Sequence, residues 1–260
     1  MLLVDSHCHL DGLDYQSLHK DVSDVLNKAR EREVGFFLAV ATTLPGFRAM
    51  TELIGERDNV AFSCGVHPLS QEEPYDFAEL RTLAALPSVV ALGETGLDYY
   101  YQQDTIPQQQ ASFREHIRVG RALNKPVIVH TRSAREDTLA ILREEKADEC
   151  GGVLHCFTED RETAEKLLDL GFYISFSGIV TFRNADALRD VARYVPLDRL
   201  LIETDSPCWR RFPTAARRIS PPTCAMWLNI WLYSKMSVLN SWHPPLPKIL
   251  LGYSTLMQRG

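Results

Sequence analysis

Eight short apolar runs recur along the first four-fifths of the chain, and their spacing limits the fold more than any other feature. They are LLVDSH (2–7), GFFLAVA (35–41), VAFSCGV (60–66), VVALGE (89–94), PVIVH (126–130), GVLHC (152–156), FYISFS (172–177) and LLIETD (200–205). Each is β-branched or aromatic and near-continuously apolar, the pattern of a strand buried on both faces and hence of a parallel sheet covered by helices. Between the runs lie stretches of helical period. Val22, Val25, Leu26 and Ala29 fall on one face, as do Ala164, Leu167 and Leu168, with Gly171 placed to stop that helix. Eight such units predict a single (β/α)8 barrel of the TIM type. An open doubly wound sheet is the alternative, but no Gly-x-Gly-x-x-Gly follows a strand, so its nucleotide-binding version has no support.

Chemistry-bearing residues gather at the ends of these runs. His7 and His9 sit one residue apart, so in an extended strand both rings point the same way. His67, His130 and His155 stand at or just past the ends of the third, fifth and sixth runs. Glu94 closes the fourth run and Asp205 the eighth. In a closed parallel barrel these carboxyl ends converge on one rim, where active sites of this fold are built. Burying so many ionisable groups without a cation would leave unpaired charge, so a metal site at that rim is expected. His19 and His116 lie in polar helical stretches and read as structural.

With DSHCHLD, GVHP, GETGLDYY, KPVIVHTR, GVLHCF and LIETDSP in order, the sequence resembles the TatD-type metal-dependent hydrolases, a deoxyribonuclease family of the amidohydrolase-like barrels. The resemblance runs to Pro207. It implies two divalent cations, with His7, His9 and Asp205 on one, His130 and His155 on the other, and Glu94 bridging. It also implies that His67 lies near the substrate phosphate. Imidazole and carboxylate ligands suit Zn, Mn or Fe and admit Mg. Two cations ~4 Å apart would bind a phosphodiester oxygen and lower the pKa of a shared water, leaving Asp205 to accept its proton or to serve as a ligand alone. Glu94 and Asp205 are therefore the expected catalytic carboxylates. Arg132 could clamp a phosphate. Glu203 and Asp98 are expected behind the ligands, orienting a histidine and supporting the loop that carries Glu94. Tyr99, Tyr100 and Tyr101 offer either a stacking surface for a base or an aromatic lid.

Charge narrows the substrate. Residues 1–207 hold all 34 acidic residues and 21 of the 28 basic ones, a balance of −13. That is not the broad basic surface of a protein gripping duplex DNA, so DNA or an oligonucleotide would be engaged at ends or in single strands. The rivals are an amidohydrolase acting on a small cyclic amide or ester, disfavoured because Glu94 stands where those barrels often place a modified lysine, and a non-catalytic metal-binding scaffold. No run is apolar and long enough to cross a membrane. The start, MLLVDSHC, lacks a basic leader, and the six cysteines show no Cys-x-x-Cys spacing. A cytoplasmic, reduced protein is expected, with no obligate partner and a monomeric state.

After TDSP the pattern breaks. Residues 208–260 carry seven basic residues, no acid, all four tryptophans and six of the 14 prolines. They replace the last loop and helix, and no independent domain is expected there. A single-base slip near codon 208 explains them. His-Arg-Gly-Lys-Glu-Asn-Gln-Pro, a continuation of the family type, can be coded CAC CGC GGC AAG GAG AAT CAG CCC. Without its first base it reads Thr-Ala-Ala-Arg-Arg-Ile-Ser-Pro, which is residues 214–221. The alternative is a genuine basic arm, and sequencing the gene across codons 205–215 separates the two.

Overall fold

The computed structural model describes residues 3–72 and 74–207. Residues 208–260, on which the slipped-frame reading falls, lie outside the described residues.

Strands and helices alternate along the whole described chain. They run β1 (Leu3–Cys8), α1 (Val22–Arg30), β2 (Val34–Val40), α2 (Leu44–Ile54), β3 (Val60–Cys64), α3 (Phe77–Ala84), β4 (Val89–Asp98) and α4 (Ile106–Leu123). The second half continues with β5 (Val127–Arg132), α5 (Arg135–Glu144), β6 (Gly152–Leu154), α6 (Arg161–Asp169), β7 (Tyr173–Phe176), α7 (Asp186–Tyr194) and β8 (Leu200–Ile202). All neighbouring strands pair in parallel, in the order β1 to β8. The result is the nearly closed (β/α)8 barrel that the cadence of apolar runs predicts.

Local sequence explains the helices. Asp21, Thr43, Asp76 and Asp160 cap α1, α2, α3 and α6 with side-chain oxygens that accept backbone N–H bonds. The face of α1 foreseen from its period, Val22, Val25, Leu26 and Ala29, is buried. Gly171, with φ +74°, follows α6 as its stop. Two separate apolar clusters then form. Leu38, Val40, Ala61, Ala91, Ile128, Val153 and Leu201 fill the barrel, while a larger layer joins the outer strand faces to the helices. This alternation is what a two-sided strand requires.

The seam between β8 and β1 is held differently from the other junctions. Ser6 Oγ donates to the Ile202 carbonyl at 2.8 Å, Asp205 N to His7 O at 2.9 Å and His9 N to Ser206 O at 2.7 Å. Behind them buried Asp5 accepts bonds from Thr204 N (2.9 Å) and Thr204 Oγ1 (2.6 Å). Burial, outweighing those two bonds, pushes the Asp5 carboxyl up to about 7. Closure of the barrel therefore fixes the relative positions of His7, His9 and Asp205.

Several strand boundaries differ from the sequence expectation, among them β5, which runs on past His130 to Arg132, and two more bear on the site. Glu94 does not close β4; it lies within it, where the register with β5 shifts between Leu92 and Thr95. Gly93 stands at that irregularity with φ +144°, a conformation that favours glycine, and a Cβ there would meet Ile128 O at 2.7 Å. β8 ends at Ile202, so Asp205 lies three residues beyond it, at φ +53°.

Candidate metal centre

Six of the expected side chains meet at the carboxyl end of the barrel around Glu94, which is 3% exposed. Its two oxygens face different groups. Oε2 lies 3.3 Å from His7 Nε2 and 3.7 Å from His9 Nε2. Asp205 Oδ1 joins that side, 3.7 Å from each of the same two nitrogens. Oε1 lies 2.7 Å from His155 Nε2, 3.2 Å from His130 Nδ1 and 3.2 Å from His67 Nε2.

The donor set fits divalent cations. Ligands bonded at 2.0–2.1 Å to one ion sit about 3.0–3.4 Å from one another, and the seven separations, 2.7–3.7 Å, bracket that range. His7 Nε2 and His9 Nε2 face each other at 3.3 Å. In addition, buried His7 Nδ1 and both ring nitrogens of His155 have no hydrogen-bond partner among the described residues, although carboxylate oxygens lie near the latter. A buried imidazole nitrogen beside a carboxylate, yet not aligned as a hydrogen bond, is the arrangement of two ligands sharing an ion.

Tautomers sort four of the five histidines. His9 Nδ1 faces the Val40 carbonyl at 2.8 Å, an acceptor only, so that nitrogen carries the proton and Nε2 keeps its lone pair. His130 Nε2 lies 3.1 Å from Asp98 Oδ2, which leaves its Nδ1 lone pair facing Glu94. His155 Nδ1 lies 3.4 Å from Glu203 Oε1, which leaves Nε2 for Glu94. His67 is the exception. Its Nδ1 accepts the Leu69 N–H at 3.1 Å, so the neutral ring carries its proton on Nε2 and presents a donor to the centre. His67 Nδ1 thus caps the turn after β3 while its Nε2 faces Glu94.

Glu203 and Asp98 each lie behind a histidine, but Asp98, expected to support a loop carrying Glu94, instead ends β4, the strand that holds Glu94, and faces His130. Glu203 accepts from Cys156 N at 2.6 Å and from Ser175 Oγ at 2.6 Å while facing His155. Asp98 faces His130 with one oxygen, and with the other accepts Tyr100 N (3.0 Å) and Tyr101 N (2.9 Å). Gln109 Oε1 accepts the backbone N–H of Asp98 itself, at 2.8 Å. Arg132 extends from β5 two residues after His130 and does not join the cluster; its guanidinium stacks on Tyr100 and Tyr101.

Some participants escaped the sequence reading. The sequence reading assigns no role to Asp5 or Ser175. His116, read as part of a polar helical stretch, is fully buried: its Nδ1 bonds Ser112 O and its Nε2 accepts Val66 N at 3.0 Å, steadying the segment that carries His67. The i, i+4 spacing of Ser112 and His116 on one face of α4 was the available signal.

Charge coupling across the centre is strong. Burial alone would raise Asp205, but the hydrogen bond with His9 and the nearby His7 and His155 rings hold it down at about 2. His9 is driven up to about 9: burial opposes its charge, and Asp205 and Glu94 more than offset that. His130 and His155 are raised in the same way, against burial, by Asp98 and Glu94 and by Glu94 and Glu203 respectively. His7 and His67 are lowered, chiefly by burial.

These shifts set a pH dependence. In the cation-free protein the raised histidines stabilise the fold fully below about pH 6.5, and that contribution is lost as pH rises through the folded values, about 9 for His9. The lowered His7 and His67 shed their protons before that window opens. Cations compete for the same nitrogens and bind better as protons leave. The Tm gain on adding a divalent cation to chelator-treated protein should therefore be larger at about pH 8.5 than at about pH 6. Equal gains at both pH values would contradict the ligand set.

The comparisons with known proteins follow the geometry. The family model described as "TatD related DNase" matches residues 4–230, extending past the Pro207 at which the motif-by-motif resemblance stops. The uncharacterized metal-dependent hydrolase YcfH of Escherichia coli strain K12 is 73% identical over 221 residues, 85% of this chain and 83% of the relative. The 3′-5′ ssDNA/RNA exonuclease TatD of Klebsiella pneumoniae strain 342 is 34% identical over 199 residues, 75% and 76% of the two chains. Among solved structures, the TatD homologue YJJV of Escherichia coli K12 superposes with a TM-score of 0.82 at 26% identity, over 99% of this chain and 96% of that one.

Proposed function

The chain belongs to the TatD-related DNase family and is a metal-dependent hydrolase, and we propose that it cleaves phosphodiester bonds of DNA at ends or in single strands, using two divalent cations. The observation that carries this reading is the division of Glu94, whose Oε2 faces His7 and His9 and whose Oε1 faces His130 and His155. When bound, the cations supply Lewis acidity at a phosphoryl oxygen and lower the pKa of an attacking water.

The chain's own residues do the rest. His7, His9 and Asp205 would hold one cation, and His130 and His155 the other, with Glu94 shared between them. Val40 O, Asp98 and Glu203 face the outer ring nitrogens, fixing the tautomer and aiming the rings. Asp205 takes the proton of the attacking water; it is ionised at every working pH and sits on the His7–His9 side. His67 donates from Nε2 to a non-bridging oxygen of the scissile phosphate, where negative charge grows in the transition state. Arg132, about 7 Å along β5 from His130, holds a neighbouring phosphate.

Substrate choice rests on charge and on the relative named as a single-strand exonuclease. The balance of −13 over residues 1–207 offers no track for a duplex, so contact is confined to the rim. A cytoplasmic location suits such a substrate; among the described residues no helix is long and apolar enough to cross a membrane. Purified protein incubated with single-stranded DNA, duplex plasmid and a panel of cyclic amides, with and without chelator, tests the reading. Chelator-sensitive loss of single-stranded DNA from its ends is expected. Equal internal cleavage of the plasmid would defeat the charge argument, and turnover of an amide with none of DNA would assign the site to amide hydrolysis.

A further inference from the structure

Three consecutive tyrosines follow β4, and they do not share a role. Tyr99 is tied sideways: its hydroxyl donates to Asp137 Oδ2 at 2.7 Å and accepts from Gln110 Nε2 at 2.8 Å. Tyr100 and Tyr101 are 60% and 62% exposed, their rings edge to face with centroids 4.8 Å apart. Arg132 lies against both, its guanidinium carbon 4.5 Å and 4.6 Å from the two ring centroids.

The described arginines divide between those held by carboxylates and those that are not. Arg48, Arg114, Arg118, Arg121, Arg135 and Arg161 all pair with carboxylates. Arg132 makes no ion pair among the described residues. Its flat faces rest on aromatic rings and its N–H edge is left for an anion, which in an acidic barrel must come from outside. Two exposed phenol rings beside it are costly to leave bare unless something stacks on them.

The loop is also tied to the centre. Asp98 binds His130 Nε2 with one oxygen and the backbone N–H groups of Tyr100 and Tyr101 with the other. The Arg132 carbonyl accepts Tyr99 N at 3.0 Å, so strand, loop and ligand histidine form one rigid unit. A strand with a phosphate at the centre would bring its adjacent nucleotide over this unit.

We propose that Tyr100, Tyr101 and Arg132 form a nucleotide platform, in which the tyrosine rings stack an unpaired base and Arg132 holds the phosphate attached to it. This rests on the phosphodiesterase reading and deepens it by assigning a subsite that accepts a base only when it is out of the duplex. Single-strand preference then comes from stacking, which a paired base inside a helix cannot offer.

The test compares a short oligothymidylate with a strand of equal length whose terminal residues lack bases. Wild-type protein should show a KM about five- to 150-fold lower for the base-bearing strand, the range one base–aromatic stack commands. Tyr100→Ala/Tyr101→Ala should erase that difference by raising KM for oligothymidylate alone, with metal content unchanged. Tyr100→Phe/Tyr101→Phe, which keeps both rings, should restore it. Equal KM values for the two strands in the wild type, or equal rises on both strands in the alanine variant, would overturn the platform. Fluorescence anisotropy of the labelled strands with cation-depleted protein separates this proposal from the one beneath it. If neither strand is cleaved, the phosphodiesterase reading fails; a base preference in binding would still support the platform, and its absence would overturn it.

Discussion

Replacing Glu94 with alanine should lower turnover by at least about 10³-fold and leave the protein with little bound metal. Loss of the shared carboxylate removes a ligand from both halves of the centre at once, and cation-assisted stabilisation of the transition state is worth several kcal/mol. Five imidazoles and Asp205 would remain, but without the group that faces both sides. Glu94→Gln is the sharper variant. The amide keeps the shape of the side chain, yet only one end can accept, so one half keeps its ligand and the other meets an N–H donor. Metal analysis after dialysis should then give about one ion per chain, against the two expected of the wild type. Two retained ions would show that Glu94 does not bridge. Circular dichroism before and after chelation confirms that any loss is not unfolding.

Asp205→Asn is expected to separate ligand from base. Asparagine keeps a carbonyl oxygen near His7 and His9, so the half-site weakens without vanishing. It cannot take a proton from water, and general base catalysis is typically worth about 10²–10⁴-fold. Saturating the variant with cation should therefore leave kcat lower by that factor while KM changes little. If saturating cation restores kcat in full, Asp205 acts as a ligand only. The same variant should lower the proton affinity of His9, which Asp205 raises together with Glu94 and the Val40 carbonyl.

Much of this centre was legible because the fold converts sequence position into spatial position. A parallel barrel brings the ends of all its strands to one rim, so residues placed at the ends of apolar runs needed no contact information to be grouped. His7, His9, His130 and His155 were found in that way. What could not be read depends on pairing across the closed barrel or on local backbone geometry. Asp5 finds Thr204 and Ser6 finds Ile202 nearly two hundred residues away, at a seam that exists only once β8 returns to β1. The register shift that turns Glu94 inward within β4 depends on the local approach of Ile128 to Gly93, which an apolar run does not encode. The tautomer of His67 follows from one backbone N–H in the loop after it. Residues 208–260 remain a proposal of a slipped frame; every proposed metal ligand precedes them.

Stepwise reconstitution reaches the central claim most directly. Protein stripped by chelator is titrated with a divalent cation while cleavage of single-stranded DNA is followed. The account predicts no cleavage in the stripped protein, with turnover that appears on titration and saturates at about two equivalents per chain. Full turnover without added cation, or saturation at a single equivalent, would contradict it.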